Sequence, residues 1–205
     1  MRSLRTSFLV GFWLFLMSGV VLAEDPVQML DQVTSQVISE LKANRAELKR
    51  NPSKLYGLVN HLIIPHVDFA EMGRWVVGRT VWQQSDAALQ ESFIQEFKTL
   101  VVRTYASSLL GYSDQQIEFL PMRKSAGERV QVSSLIKESG KSPLHLDYRL
   151  LREGDGWRVY DIIIEGVSIV QGYRAQFAND ARRGGLTAVI EKIRQHNQSR
   201  GGSNR

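Results

Sequence analysis

The chain has 205 residues, 43% hydrophobic and 23% charged, the profile of a globular protein and not of a fibrous or disordered one. It contains no cysteine, which excludes disulfides, thiolate metal sites, iron–sulfur ligation and a cysteine nucleophile. Its formal net charge of +5 belongs to its ends: Arg2 and Arg5 open it, and from Arg182 onward six basic residues (Arg182, Arg183, Lys192, Arg194, Arg200, Arg205) face the single acid Glu191. A basic tail on a slightly acidic body is not a nucleic-acid groove. The tail reads as solvated, with an acidic partner or anionic lipid as the alternative.

Residues 1–23 read as a cleaved export signal. A basic start is followed by an apolar run from Phe8 to Val21, and Val21-Leu22-Ala23 supplies small side chains at the cleavage position before Glu24. A membrane anchor is the alternative, although the run falls short of the ~20 residues of a spanning helix. A lipoprotein is excluded, because its lipid needs a cysteine. The expected organisation is a leader (1–23), a single domain (24–194) and a disordered tail (195–205).

The domain begins with helical spacing. Val27, Leu30, Val33, Val37 and Leu41 form one stripe, with Pro26 suited to a first turn. Asn51-Pro52-Ser53 breaks it, and a second helix is expected from Lys54 to Ile64. Asp68 is placed to cap a third that carries Phe69, Met72, Trp75 and Val76 and stops near Gly78. Ser85 or Asp86 caps the longest, whose buried side holds Leu89, Phe93, Phe97, Leu100, Val101, Ala106 and Leu109 as far as Gly111.

From Gln115 the period falls to two. Ile117 and Phe119 alternate, then Val130 to Ile136, then Leu144, Leu146, Tyr148 and Leu150. Gly154-Asp155-Gly156 is a hairpin signal before a fourth strand, Trp157 to Ile164. Helical spacing returns from Val167 to Phe177 and from Leu186 to Ile193, separated by Gly184-Gly185. Four helices, a four-stranded antiparallel meander and one or two further helices make an α+β fold.

Catalytic signatures are missing: the sequence has no G-x-S-x-G elbow, P-loop, H-E-x-x-H or dinucleotide glycine pattern. His61 and His66 are poorly spaced for one helical face, and His145 and His196 are isolated, so packing or surface roles are the default. Asp147 and Asp161, on neighbouring strands, either form a carboxylate pair in a cavity or, the default, face solvent or bond to Arg149 and Arg158. Ser168 reads as a cap or turn residue. The stronger anomaly is apolar. In the last strand one set is Trp157, Val159 and Ile163 and the other Tyr160, Ile162 and Ile164, so both faces are apolar. Either helices cover both, or the sheet curls around a cavity; spacing does not choose between them.

Three ordered segments stand out. The first is Pro65-His66-Val67-Asp68-Phe69 with Trp75-Val76-Val77-Gly78-Arg79 and Trp82. The second is Phe93, Phe97, Leu100 and Arg103-Thr104-Tyr105-Ala106. The third is Gly156-Trp157-Arg158-Val159-Tyr160-Asp161-Ile162, Glu165-Gly166-Val167-Ser168, Tyr173-Arg174 and Phe177. In this order they resemble the MlaC family of periplasmic phospholipid-binding proteins, also called toluene-tolerance auxiliary proteins. The resemblance implies a cone-shaped, nuclear-transport-factor-like fold with a curled sheet and an apolar lipid cavity. It implies a non-enzymatic protein without cofactor or metal, with glycerophospholipid as cargo. The implied partners are an outer-membrane lipoprotein–porin complex and the MCE-domain ring of an inner-membrane ABC transporter, and the implied outcome is outer-membrane lipid asymmetry. The longer polar tail departs from the pattern.

On that resemblance the residues expected to meet acyl chains are Val67, Phe69, Trp75, Phe93, Phe97, Leu100, Val101, Tyr105, Val132, Leu146, Tyr148, Val159 and Ile162. Arg103, Arg149 and Arg174 are the candidates for head-group or partner contact, with surface ion pairs as the alternative. An arginine at position 97 is expected to leave a folded protein with less lipid. Two rivals belong to other classes. One is an isomerase or dehydratase in the same fold, using Asp147, Asp161 or Tyr105; the other is an export chaperone with an open peptide groove.

Overall fold

The computed structural model describes residues 25–201 except 113 and 123–126, so the expected leader lies outside the described residues. Capping residues set most helix starts. Asp25 Oδ1 accepts from the amides of Val27 (2.8 Å) and Gln28 (3.1 Å) and starts α1, Pro26–Arg50. Asn51 ends α1 and caps α2, Pro52–Leu62, by accepting from Ser53 N at 3.1 Å. After a 3-10 turn at Ile64–His66, Asp68 accepts from Glu71 N at 2.8 Å and opens α3, Phe69–Val77. Asp86 does the same for α5, Ala87–Tyr105, through Leu89 N at 2.8 Å.

Two helical expectations change. A short helix, α4 at Arg79–Gln84, occupies what reads as a connection, because the positive φ of Gly78 (85°) ends α3 and lets a new helix start at once. The long helix does not run unchanged to Gly111; it tightens to 3-10 geometry over Ala106–Gly111.

The sheet is an open antiparallel meander of five strands in sequence order: β1 (Gln116–Phe119), β2 (Arg129–Lys137), β3 (Leu144–Glu153), β4 (Gly156–Ile164) and β5 (Val167–Ser168). The fifth strand, two residues long, occupies the start of what reads as a helix; a tight turn with Glu165 at φ 48° and Gly166 at φ 80° folds it onto Ile163 and Ile164.

One irregularity decides which side chains share a face. Arg149 pairs with Asp161, but the next residue, Leu150, pairs with Val159, so Tyr160 is an extra residue bulged out of β4. The expected split of β4 is thereby corrected. Trp157, Val159 and Ile162 share the face that meets α1, while Tyr160 joins the helical core.

Helix α6, Ile169–Gly201, is kinked at Gly184 and at Gly185 (φ 61°, ψ −152°), where the sequence marks a break. It then continues through much of the tail expected to be disordered. The reason is Asn197, 6% exposed, whose Nδ2 donates to Glu96 O at 3.1 Å and to Glu96 Oε2 at 3.0 Å, beside Arg194 Nε donating to Glu96 Oε1 at 3.0 Å. A polar composition that reads as solvated is a docking edge against α5.

The apolar interior falls into three clusters. The largest joins α3, α5 and α6 around Phe69, Phe93, Phe97, Tyr173 and Phe177; Phe93 stacks on Phe97 at 5.2 Å and Tyr173 meets Phe97 edge-on at 5.1 Å. Gly73 permits this packing, since a Cβ there would sit 2.7 Å from the Phe93 ring. The second cluster sets Met29 and Leu30 of α1 on Val130, Val132, Leu150, Trp157 and Val159 of the sheet. The third joins Val37, Leu41 and Leu48 of α1 to Leu55 and Val59 of α2 and to Val102 and Ala106.

Candidate functional site

The face of the sheet that meets α1 is packed at one end only. Near the β3–β4 hairpin, Val130, Leu150, Trp157 and Val159 are buried beneath the start of α1. Toward the opposite end, Ile117, Phe119, Ile136, Leu146, Tyr148, Ile162 and Ile164 are only half-buried, and Leu144 is 39% exposed. The helical third cluster has a matching fringe of half-buried Leu58, Leu62, Ile63, Ile64, Leu109 and Tyr112. Val33 of α1 packs against both clusters and marks the seam between them.

Chain connections hold the two walls of this seam together. Val67 forms an isolated parallel bridge with Val159, and Asp68 N donates to Val159 O at 2.9 Å, which ties the Ile64–His66 turn to β4. On the other side, Tyr112 Oη donates to Gln115 O at 2.8 Å where the chain passes from the 3-10 segment into β1. A hollow of about 570 Å³ opens between α1 and β1, lined by Asp25, Val27, Gln28, Asp31 and Phe119. It lies within the roughly 300–1,000 Å³ usual for ligand sites.

Five of the expected residues come together on this face: Val132, Leu146, Tyr148, Val159 and Ile162. Val67 adjoins them through its bridge to Val159. The structure does not bring the others there. Phe93 and Phe97 are 0% exposed in the α3–α5–α6 core, with Phe69 and Leu100 beside them and Val101 and Tyr105 half-buried on its rim. Their helical stripe is that of a closed core. Trp75, 40% exposed, stacks on Tyr160 at 6.5 Å and donates from Nε1 to Glu71 at 2.9 Å, on the far side of the sheet.

The arginines have structural partners or none at the seam. Arg103 donates from Nη1 to the Asn197 carbonyl, holding the end of α6. Arg149 Nη1 is 3.3 Å from Asp161 Oδ2 on the face opposite the seam. Arg174 is exposed on α6.

Sequence reasoning left Phe119, Ile117, Ile136, Ile164, Ile64 and Val33 out of the site. The available signal was strand parity: Phe119 pairs with Ser134, Ile136 with Leu144 and Ile164 with Leu146, all on one face.

Asp25 and Asp31 border the hollow from α1; the buried carboxylates among the described residues lie elsewhere. Asp147 takes a hydrogen bond from Ser133 Oγ, and Asp161, 1% exposed, accepts from Ser168 Oγ (2.7 Å), Val170 N (3.1 Å) and Arg149; both lie on the opposite face. Glu71, 4% exposed, is enclosed by Arg129 (2.7 Å), Arg74 (2.8 Å) and Trp75. Burial works to raise its pKa, but the donors and positive charges outweigh it and hold the carboxyl below its ordinary value. Burial raises Tyr148, against the lowering effect of its neighbour Ser134. Among the described residues no group of three or more His, Asp or Glu is placed to hold a metal ion, and no helix is long and apolar enough to cross a membrane.

An open antiparallel sheet whose one face is sealed at one end and apolar but unsealed at the other, packed with helices, defines a hydrophobic-ligand-binding scaffold. Residues 31–195 match the family described as MlaC protein, and the chain belongs to that family. It is 26% identical over 187 residues to the intermembrane phospholipid transport system binding protein MlaC of Haemophilus influenzae, spanning 88% of this chain and 86% of that one. The toluene tolerance protein ttg2D of Pseudomonas putida is 26% identical over 165 residues, with 80% and 77% covered. Among solved structures, the phospholipid-binding protein from Ralstonia solanacearum in complex with a phospholipid superimposes with a TM-score of 0.78 at 29% identity, over 86% of this chain and 98% of that one.

Proposed function

We propose that the protein is a periplasmic phospholipid carrier that holds acyl chains in the seam. It passes glycerophospholipid between an outer-membrane lipoprotein–porin complex and the MCE-domain ring of an inner-membrane ABC transporter, which maintains outer-membrane lipid asymmetry. The observation that carries the reading is the half-buried apolar lining shared by the sheet and the α1–α2 cluster. Relatives named for phospholipid transport and a neighbour with phospholipid bound support it.

The energetics suit a carrier. Two acyl tails of roughly thirty methylenes are worth on the order of 25 kcal/mol against water, at ~0.8 kcal/mol each. Release into water is therefore negligible, whereas transfer between a bilayer and an apolar seam is nearly balanced. Such a site needs aliphatic walls and few polar contacts, and the head group stays in water. The enzyme rival invokes Asp147 or Asp161, and both face away from the seam; of the two carboxylates that border the hollow, Asp25 is taken up in capping α1. Tyr105 packs on the rim of the α3–α5–α6 core.

The test is native mass spectrometry of the chain purified from a Gram-negative periplasm without detergent, followed by solvent extraction. A mass increment of one phospholipid, confirmed in the extract as diacyl lipid, is expected. An apo mass with no extractable lipid overturns the reading, and bound peptide in its place would favour the chaperone.

A further inference from the structure

Two hydroxyls interrupt the apolar seam. Ser134 lies between Val132 and Ile136 on β2, and Tyr148 between Leu146 and Leu150 on β3, all on the face that meets α1. Val132 pairs with Tyr148 and Ser134 with Leu146, so the two hydroxyl residues are diagonal neighbours. Ser134 is 0% exposed and its Oγ has no hydrogen-bond partner in the structure. Tyr148 is close enough for Ser134 to act on its phenol, yet the pair does not reach hydrogen-bond geometry. A buried hydroxyl without a partner is destabilising, and a serine on such a face invites a partner from outside the chain.

The position limits what that partner is. Ile136 and Leu144 form the next row outward, and Leu144 is 39% exposed at the rim. Two residues of strand place Ser134 about 7 Å inside that rim. A phosphate at this depth would be buried among aliphatic side chains, with Arg152, a cation of the same face, held over Trp157 at the far end, an arrangement that costs far too much. An aliphatic tail offers nothing to a hydroxyl. The group that fits is a neutral acceptor lying just below a lipid head group, with no donor of its own, so that it needs donors from the protein. The ester carbonyl that joins an acyl chain to glycerol has this chemistry and this depth.

We propose that Ser134 and Tyr148 form a hydroxyl clasp that donates to an ester carbonyl of the bound lipid and makes the carrier selective for ester-linked over ether-linked diradyl phospholipids. The proposal rests on the carriage reading and adds a specificity to it. The clasp acts on the linkage and leaves the head group free in water, so selection among head groups is not expected from it.

The experiment uses the delipidated chain and vesicles that contain equal amounts of dioleoyl phosphatidylglycerol and its dioleyl ether analogue, which share head group and chain length. Native mass spectrometry reads the ratio of the two lipids bound. The expected ratio is about tenfold in favour of the ester, the worth of one hydrogen bond to a buried acceptor. Ser134→Ala and Tyr148→Phe, checked for folding by circular dichroism, should bring the ratio toward parity. A wild-type ratio within about twofold of parity overturns the clasp while leaving carriage intact. Uptake of neither lipid overturns the carriage reading and the clasp with it. If a variant does not fold, the wild-type ratio decides.

Discussion

Replacing Asp161 with alanine tests whether this carboxylate is a structural tether. Its Oδ1 accepts from Val170 N at 3.1 Å and its Oδ2 from Ser168 Oγ at 2.7 Å, while Ser168 Oγ accepts from Gln171 N at 3.0 Å. The first turn of α6 is thus capped from β4, eight residues before the helix begins at Ile169. Alanine removes one amide cap, worth about 1 kcal/mol, and leaves the Ser168 hydroxyl without its acceptor, another ~1 kcal/mol. Arg149 is 40% exposed, so solvent screens its ion pair and its loss adds at most ~1 kcal/mol. The sum is about 3 kcal/mol, and a chain of this size should melt roughly 6–12 °C lower. Asp161→Asn, which keeps one acceptor, should lose about half as much. The assay is urea and thermal unfolding, with lipid content measured on the folded fraction. Wild-type stability in Asp161→Ala would refute the tether, and folded protein with its lipid lost would reopen a role for Asp161 at the ligand.

Other consequences are as direct. Phe97→Arg, expected from sequence to fold, should instead yield insoluble or unfolded protein, since position 97 is 0% exposed among Phe93, Phe69 and Tyr173 and a buried unpaired charge costs well over ~4 kcal/mol; soluble expression and circular dichroism check it. Leu146→Asp, in the half-buried part of the seam, should fold with a loss of about 1–2 kcal/mol and retain at least tenfold less lipid, read by native mass spectrometry. Glu71 titrates below its ordinary 4.5, so its contribution is full above that pH and is lost as the pH falls through its folded value. Urea midpoints of wild type and Glu71→Gln should therefore differ at pH 7 and converge as the pH falls below 4.5; an unchanged gap would show that the carboxylate's charge is not what Arg129 and Arg74 hold.

Helix positions were legible where their caps are: Asp68 and Asp86 stand where periodic stripes begin and each accepts an amide of the turn that follows, while Asn51, read as part of a break, also caps α2. The hairpin at Gly154 was equally plain, since its φ of 59° suits glycine. Short elements were not, as α4 and β5 are too brief to show a period. The ordered end of α6 was hidden because Asn197 and Arg194 look solvated until Glu96 is beside them. Phe69, Phe93, Phe97, Leu100, Val101 and Tyr105 lie in or against the α3–α5–α6 core and not in the seam, for one reason. The stripe Phe93–Phe97–Leu100 has the same composition whether it closes on Tyr173 and Phe177 or lines a hollow. Composition reports that a face is apolar; only the neighbouring element reports whether anything seals it.

The residue bulged from β4 has a consequence for the ligand. Were the strand regular, its alternation would carry Asp161 and Ile163 round to the side of Trp157 and Val159, and Ile162 and Ile164 away from it. One extra residue at Tyr160 slips the phase, so that the strand's single buried carboxylate is delivered to the helices and two isoleucines take its place. This apolar wall thus stays free of a buried carboxylate through a miscount in backbone pairing, in a strand that keeps its aspartate. Deleting one residue and restoring one would be opposite operations on which substance this wall can hold: acyl chain in one phase, water around a carboxylate in the other.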